Sequence, residues 1–197
     1  KAVEIVAALR AEHLEAPPEI VEASAAVVVA LVETIASMGH RIEELDAALQ
    51  LQFDRHSDAA IIRSQPGLAT VLSARVLGEF GDDPTRYADA KARRNYAGTS
   101  PITRASGKSH AVLARIGRNR RLAAACHWWA FNALNTSPGA RAYYDERRAR
   151  GQTHNQASRA VANKLVGILD GCLSHRELYD ETRAWPNASV DSSAPAA

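Results

Sequence analysis

Apolar side chains recur every three to four positions over most of the chain, which is helical rather than strand spacing. A short acidic helix over residues 1–16 should end at Pro17-Pro18, because proline lacks the N–H that a helix interior needs. A heptad pattern then predicts a coiled-coil helix of about 30 residues, or about 45 Å. Its a and d positions are Val21, Val28, Leu31, Ile35, Met38, Ile42, Leu45 and Leu49, interrupted at Ser24. Such a stripe suits either a second copy of the chain or the chain's own domain.

Two short helices joined by a Pro-Gly break are predicted between Asp58 and Gly81. This is the pattern of a helix-hairpin-helix, whose turn is usually glycine, a hydrophobic residue and glycine. Here the turn is Gly67-Leu68-Ala69, followed by Thr70. Small residues at this place would let N–H groups at the start of the second helix approach a DNA phosphate. A plain pair of antiparallel helices in a helical core fits the same pattern.

The next segments alternate between polar turns and apolar helices. We interpret Asp82-Asp83-Pro84 as a helix N-cap with proline at the first helical position rather than as metal ligands. Residues 98–121 are rich in loop signals, with room for a few short strands. An apolar helix over residues 122–134 should bury its aromatic residues and one histidine; these are Trp128, Trp129, Phe131 and His127. Helices over residues 140–150 and 155–173 should follow.

These elements predict an all-α or mostly α fold, in which a long coiled-coil helix leads into a compact helical domain. We place a helical linker and coiled coil at residues 1–57 and the compact domain at 58–184, with its helix-hairpin-helix at 58–81. The polar residues 185–197 are expected to form a disordered tail.

Charge is distributed unevenly although the formal net charge is only +2. Residues 1–60 hold four Lys or Arg against eleven Asp or Glu, whereas residues 86–121 hold ten Lys or Arg against one acid, Asp89. A solvated surface usually interleaves both signs, and this basic segment does not. Its charge density favours binding of phosphate groups.

The cysteines and the N-terminal residues exclude several classes of protein. Cys126 and Cys172 are far apart and have no cluster of histidines nearby, so we predict buried thiols rather than a zinc site or a disulfide. No run of 18 uncharged apolar residues occurs, and the first residues lack the pattern of a signal peptide. We therefore expect a cytoplasmic protein without a membrane segment.

Several spaced motifs, taken in chain order, carry a family resemblance. The heptad helix is followed by SQPGLATVLSARVLGEFGD, RYADAKARRNYAG, an SG pair, RIGRNRRLAAACHWWA, SPGARAYYDERRARG and an A-x-x-A-V-A-x-K-L helix. Over residues 60–180 this order resembles insertion-sequence transposases of the IS110, IS116 and IS902 group.

The resemblance implies a coiled coil, a C-terminal transposase domain with a serine nucleophile, and recombination guided by a structured bridge RNA. It also implies an N-terminal RuvC-like domain in which four acidic residues bind metal, expected to be Mg²⁺. The family's Ser-Gly pair falls on Ser106-Gly107, so Ser106 becomes the candidate that attacks a DNA phosphorus and forms a phosphoserine link. The metal-binding domain has no counterpart in this sequence. We thus expect no cofactor in this chain and no DNA cleavage by the chain alone.

Nearby cations would stabilise the charge that develops during such an attack, and glycine would let the DNA backbone come close. The candidates beside Ser106 are Arg104, Gly107, Lys108 and Arg115, and the candidates for binding the nucleic-acid backbone are Gly67, Leu68, Ala69, Thr70, Arg118, Arg120 and Arg121. Ser-Gly is also an ordinary turn pair, and Ser100 and Ser109 are alternative serines.

Three functions follow from these patterns. The first is the DNA-binding, serine-bearing part of a transposase, which forms a homo-oligomer through its coiled coil and acts with a bridge RNA on DNA at the bacterial nucleoid. The second is a non-catalytic module for nucleic-acid binding and oligomerisation, such as a truncated or decayed transposase. The third, a helix-hairpin-helix glycosylase, is disfavoured because the hairpin has no lysine.

Overall fold

The computed structural model describes residues 1–11 and 16–186. Within these residues the chain forms helices and one two-stranded hairpin, so the predicted mostly helical fold is confirmed. The helices are α1 Ala2–Leu9, α2 Pro18–Asp54, α3 Ala59–Arg63, α4 Thr70–Phe80, α5 Ala90–Ala97, α6 Arg120–Thr136, α7 Pro138–Ala149, α8 His154–His175 and α9 Glu181–Ala184, and the strands are β1 Ile102–Ser106 and β2 Ser109–Leu113.

Residues Lys1–Leu45 form one unit, made of α1 and most of α2. The first helix, predicted over residues 1–16, ends already at Leu9, before the prolines. The second helix begins at Pro18, where the proline costs no hydrogen bond because the first N–H groups of a helix have no partner within it. The heptad side chains from Val21 to Leu45 are 53–69% exposed. This stripe of α2 therefore presents an uncovered apolar surface.

The composition of α2 also meets a membrane criterion. By length and composition alone, an 18-residue stretch of this helix is apolar enough to cross a membrane, and none of that stretch is buried. The stretch contains no more than two charged side chains. A helix that pairs with another helix in water passes the same criterion, so composition does not decide between the two.

Residues Asp46–Ala197 form the second unit, and its described part packs around α6 and α8. Buried side chains recur on both helices at three- and four-residue spacing, which gives each one apolar face. The largest of them are Leu122, Cys126 and Trp129 on α6 and Val161, Leu165, Val166 and Leu169 on α8. Burial raises the pKa of Cys126 to about 12, so this cysteine is the buried thiol that the sequence predicts, whereas Cys172 is half-buried.

A buried ion pair fixes α5 against α8. Arg93 Nε lies 2.7 Å from Asp170 Oδ1, and only 8% and 16% of the two side chains are exposed. The guanidinium also stacks 4.6 Å from the centre of the Tyr87 ring. Because a charge buried without its partner is strongly destabilising, this pair holds the end of α5 in one position.

Trp185, the first residue of the predicted tail, is buried. Trp185 is only 3% exposed, and its indole N–H donates to Tyr179 Oη at 2.8 Å. Lys164 Nζ lies 4.1 Å from the centre of the Trp185 ring. Burial and the hydrogen bond to Glu181 raise the pKa of Tyr179 to about 12. Trp185 thus belongs to the core and Tyr179 packs against it, while residues 187–197, where the rest of the predicted tail falls, lie outside the described residues.

The predicted helix start at Asp82-Asp83-Pro84 is wrong. Asp83 Oδ1 instead accepts hydrogen bonds from the backbone N–H and hydroxyl of Thr85, both at 2.7 Å, which closes a turn. These bonds lower the pKa of Asp83. The next helix, α5, begins at Ala90, and its N-cap is Asp89, whose carboxylate accepts from Ala92 N at 2.6 Å.

Helix α6 buries fewer aromatic side chains than predicted. Trp129 is fully buried, and its indole N–H donates to Pro66 O at 2.9 Å. His127 is exposed instead of packed, and Trp128 and Phe131 are 54% and 45% exposed. The buried face of α6 follows residues 122, 125, 126, 129, 130 and 133, and the helical repeat places the other aromatic residues on the opposite side.

Candidate nucleic-acid interface and serine turn

The serine candidate lies at the turn of an exposed hairpin. Ser106 ends β1 and pairs with Ser109 across the two-residue loop Gly107-Lys108. Gly107 has φ 54°, a left-handed value that glycine adopts without strain, at the first position of a two-residue loop. A Cβ at Gly107 would meet no atom within 4 Å. The Ser-Gly pair is therefore a hairpin turn with open space beside the serine.

Two basic residues lie close to Ser106 along the chain. Side chains alternate along a strand, so Ser106 and Arg104 lie on one face of the hairpin, with Ala111 opposite Arg104. Lys108 lies in the loop itself, and all three polar side chains are exposed. Among the side chains that the structure describes, none is hydrogen-bonded to Ser106. The described part of the chain thus places positive charge near the hydroxyl but no general base against it.

Arg118 is held over the end of α5. Its aliphatic part covers Gly98, which ends α5 with φ 73°, so closely that a Cβ on Gly98 would overlap the Arg118 side chain. The Arg118 guanidinium donates to the carbonyl oxygen of Arg115. Arg115 is half-buried, its Nε has no hydrogen-bond partner among the described residues, and no described contact joins it to Ser106. The sequence analysis placed Arg115 beside Ser106, and no contact among the described residues supports that placement.

The arginines at the start of α6 have different surroundings. Arg121 Nε lies 2.9 Å from Glu79 Oε1 on α4. Glu79 also accepts a hydrogen bond at 2.8 Å from Asn119, whose own side chain caps α6. Arg120 forms no ion pair among the described residues and is exposed. One of the three predicted arginines is thus partly neutralised by a carboxylate that the sequence analysis did not single out.

The glycine of the helix-hairpin-helix faces the protein rather than solvent. Gly67 has φ 79°, and a Cβ there would lie 2.5 Å from Ala133 N and 2.8 Å from Asn132 C on α6. Asn132 Nδ2 also donates to Gly67 O at 3.4 Å. Close packing against the α6 backbone therefore explains this glycine without a bound phosphate.

The remaining hairpin candidates differ in exposure. The Leu68 side chain is only 5% exposed and belongs to the core, so it is not available to a ligand. Ala69 is the exposed N-cap of α4, and Thr70 is half-exposed at its first helical position. The first N–H groups of a helix lack partners within it, so phosphate binding at this helix start stays a prediction.

A cavity of about 420 Å³ lies beside the first turns of α6 and α8. Its polar and aromatic lining residues are Thr99, Arg118, Arg120, His127, Trp128, Asn155, Ser158 and Arg159, and no carboxylate contributes to it. Ser158 and Arg159 were missed by the sequence analysis. The capping box at Thr153 marks the start of α8, and helical spacing puts residues 155, 158, 159 and 162 on one side of it, but sequence alone does not show what that side faces.

Comparison with known proteins decides the family. Residues 59–145 match the sequence model of a family described as "Transposase IS116/IS110/IS902 family". This chain belongs to the IS116/IS110/IS902 transposase family. The match covers α3 to most of α7, and so includes Ser106 and the candidate arginines of this chain, but it ends before α8.

Individual transposable-element proteins are similar over almost all of the chain. A Streptomyces coelicolor protein named "Mini-circle putative transposase for IS117" is 42% identical over 176 residues, which are 89% of this chain and 42% of that protein. The "Insertion element IS900 uncharacterized 42 kDa protein" of Mycobacterium paratuberculosis is 34% identical over 87% of this chain and 43% of its own length. The chain thus spans about two fifths of the length of these curated relatives.

Proposed function

We propose that this chain is the DNA-binding, serine-bearing part of a transposase that recombines DNA through a phosphoserine intermediate. The observation that carries the proposal is the exposed hairpin turn, in which Ser106 shares a strand face with Arg104 and precedes the loop residue Lys108, with open space beside Gly107. An extended DNA backbone can approach such a turn, whereas a serine in a closed pocket would admit only a small phosphate ester.

The chemical step exchanges one phosphate ester for another. The Ser106 Oγ–H bond breaks, Oγ bonds to a DNA phosphorus, and the bond from that phosphorus to one deoxyribose oxygen breaks. The released deoxyribose oxygen takes up a proton, so one proton is lost and one is gained. Arg104 and Lys108 would stabilise the negative charge that grows on the phosphate oxygens. Joining reverses the step with a new deoxyribose hydroxyl.

We place the metal ligands outside this chain. The part of the chain that the structure describes holds no group of three or more histidine, cysteine or acidic side chains that could bind a metal ion. Asp82 and Asp83 do not belong to such a group, and Asp83 is engaged with Thr85. Magnesium bound elsewhere in the full transposase would activate the nucleophile or the scissile phosphate, and this chain would supply the serine and the cations.

Salt-dependent binding to duplex DNA tests the binding half of the proposal. We expect the logarithm of the association constant to fall linearly with the logarithm of the salt concentration. The double change Arg118→Ala/Arg120→Ala should make this slope shallower by about 2, because each phosphate contact contributes about 0.9. Arg121→Ala should reduce the slope by less than about 1, since Arg121 is already paired with Glu79. Fluorescence anisotropy with labelled duplex measures these slopes. Equal reductions of the salt slope by Arg121→Ala and by the double change would contradict the distinction between paired and unpaired arginines. Absence of DNA binding by the native chain would refute the proposal.

A structured guide RNA is the second partner that we propose, and the basic segment 86–121 is its candidate contact along with DNA. Both partners would be met in the bacterial cytoplasm at the nucleoid. Running the same titration with a structured RNA in place of duplex DNA compares the two. Competition between them for the native chain would indicate a shared surface.

A non-catalytic nucleic-acid-binding module is the second candidate function. The absence of a general base beside Ser106 among the described side chains favours it. This alternative predicts the same salt dependence but no covalent protein–DNA product under any conditions, so the serine substitution argued in the Discussion separates the two functions.

We propose that the α2 stripe pairs with a second copy of the chain. Leu31 lies on the stripe and is 56% exposed, and Val29 lies off the stripe and is 57% exposed, which makes them a matched pair. Leu31→Glu should convert the native oligomer to monomer, because a buried like charge would face itself in the dimer, whereas Val29→Glu should not. Sedimentation velocity in detergent-free buffer measures the oligomeric state. A native chain that is monomeric, or one that stays in solution only with detergent, would overturn the coiled-coil interpretation.

A further inference from the structure

The cavity beside α6 and α8 contains a buried polar group without a partner. Ser158 is only 2% exposed, and its Oγ forms no hydrogen bond among the described residues although it lines the cavity. Buried hydroxyls are nearly always paired, because an unpaired one has lost its water without compensation. The Ser158 hydroxyl thus has unused hydrogen-bonding capacity in the wall of the cavity, and a small shift of this wall would let it bond to a polar atom inside.

The charges around the cavity are all of one sign. Arg118, Arg120 and Arg159 line it, no carboxylate does, and Arg120 and Arg159 form no ion pair in the described part of the chain. Arg159 is half-buried, which strengthens its field because less water screens it. Guanidinium groups bind phosphate through paired donors, so this lining selects an anion and suits phosphate in particular.

An aromatic wall completes the cavity. Trp128 lines it and is 54% exposed, and the edge of the His127 ring lies against it with 5.8 Å between ring centres. An exposed indole next to arginines offers a flat apolar surface on which a nucleobase can stack. A cavity of about 420 Å³ is also within the range of small-molecule sites, roughly 300–1,000 Å³.

We propose that this cavity takes up one unstacked nucleotide of a nucleic-acid strand. The phosphate lies among the arginines, the base stacks on Trp128, and an edge of the base hydrogen-bonds to Ser158 Oγ. A base inside a duplex is stacked on both sides and cannot reach the indole, so the nucleotide comes from a single-stranded or distorted stretch. The proposal rests on the nucleic-acid binding proposed above and adds a separate site for a single nucleotide.

Filling the cavity tests the proposal. Ala124 is exposed and lines the cavity, so Ala124→Leu narrows it with little effect on the core, and Ala142→Leu makes the same change at an exposed α7 position away from it. Binding of oligothymidine and oligouridine to the full chain is followed by quenching of tryptophan fluorescence. Trp129 and Trp185 are buried, so Trp128 is the tryptophan open to quenching.

We expect Ala124→Leu to weaken binding of single strands about tenfold, because loss of one stacked base costs this much, and to weaken duplex binding less than about twofold. Ala142→Leu should change neither.

A second variant removes the hydroxyl alone. Ser158→Ala should weaken single-strand binding several-fold while leaving thermal stability unchanged or raised, since it deletes an unpaired buried polar group. Equal binding of single strands by the native chain, Ala124→Leu and Ser158→Ala would overturn the nucleotide site while leaving duplex binding intact. Absence of all binding by the native chain would instead refute the proposed function together with this site. A preference for oligothymidine or for oligouridine identifies DNA or RNA as the source of the nucleotide.

Discussion

Ser106→Ala is expected to abolish the covalent protein–DNA adduct, with a loss of at least about a thousandfold, because alanine has no oxygen that can form the phosphate ester. The assay combines the chain with the remaining part of a relative, a guide RNA and a divalent metal, and detects labelled DNA that stays attached to the denatured protein. Ser106 is exposed on a strand, so the change should alter stability by less than about 0.5 kcal/mol.

Two neighbouring serines serve as controls for this prediction. Ser109 faces Ser106 across the hairpin turn, and Ser100 donates a 3.4 Å hydrogen bond to Asn163 Oδ1. Alanine at either position should leave the adduct at its native level. An adduct that survives Ser106→Ala but disappears in Ser109→Ala would move the nucleophile to the other strand. Survival in all three variants would exclude every serine of this segment.

Much of the fold could be predicted because it depends on local signals. Proline fixes the start of α2, the heptad predicts about 30 of its 37 residues, and α7 begins at Pro138, two residues before its predicted start at residue 140. The hairpin strands could be foreseen only as a possibility. A two-residue turn at Gly107-Lys108 is a clear signal in retrospect, but the strands around it are short and mostly exposed, so they lack an alternating apolar pattern.

Other features depend on which hydrogen-bond or packing partner a side chain takes, and the hydrophobic pattern does not encode that partner. Asp82-Asp83-Pro84 has the composition of a helix start, but the Asp83 carboxylate accepts a hydrogen bond from Thr85 N and closes a turn. Trp185 looks like the start of a polar tail, yet it is buried where Lys164 and Tyr179 lie against it. In both cases the deciding partner is invisible to periodicity.

The candidate site also combines features that are local in sequence with features that depend on the tertiary structure. Ser106 and its flanking cations come from one continuous segment, and their common placement follows from the strand register. The cavity beside α6 and α8 joins residues about 40 positions apart, from Arg118 and Arg120 to Ser158 and Arg159. Which arginines are free is likewise a tertiary property, since Glu79 on α4 forms an ion pair with Arg121 and with no other arginine of the basic segment among the described residues.

Gly67→Ala is expected to destabilise the protein by about 3 kcal/mol, and to lower Tm by about 6–12 °C. A Cβ at this position would lie 2.5 Å from Ala133 N, and backbone atoms of a packed helix cannot move aside as a flexible side chain can. The φ of 79° adds strain for any residue other than glycine. Thermal unfolding followed by circular dichroism measures the change.

Gly107→Ala separates the two causes of this effect. Gly107 also has a positive φ, 54°, but a Cβ there meets no atom within 4 Å, so alanine should cost only the backbone strain of about 1 kcal/mol. The difference between the two variants then measures the close approach of α6. If Gly67→Ala were as stable as Gly107→Ala and instead lost DNA affinity, the glycine would serve a phosphate, as the helix-hairpin-helix pattern alone predicts. If stability falls and the folded fraction still binds DNA, the glycine is required in this turn by packing, and phosphate binding at α4 must come from the N–H groups of Ala69 and Thr70 instead.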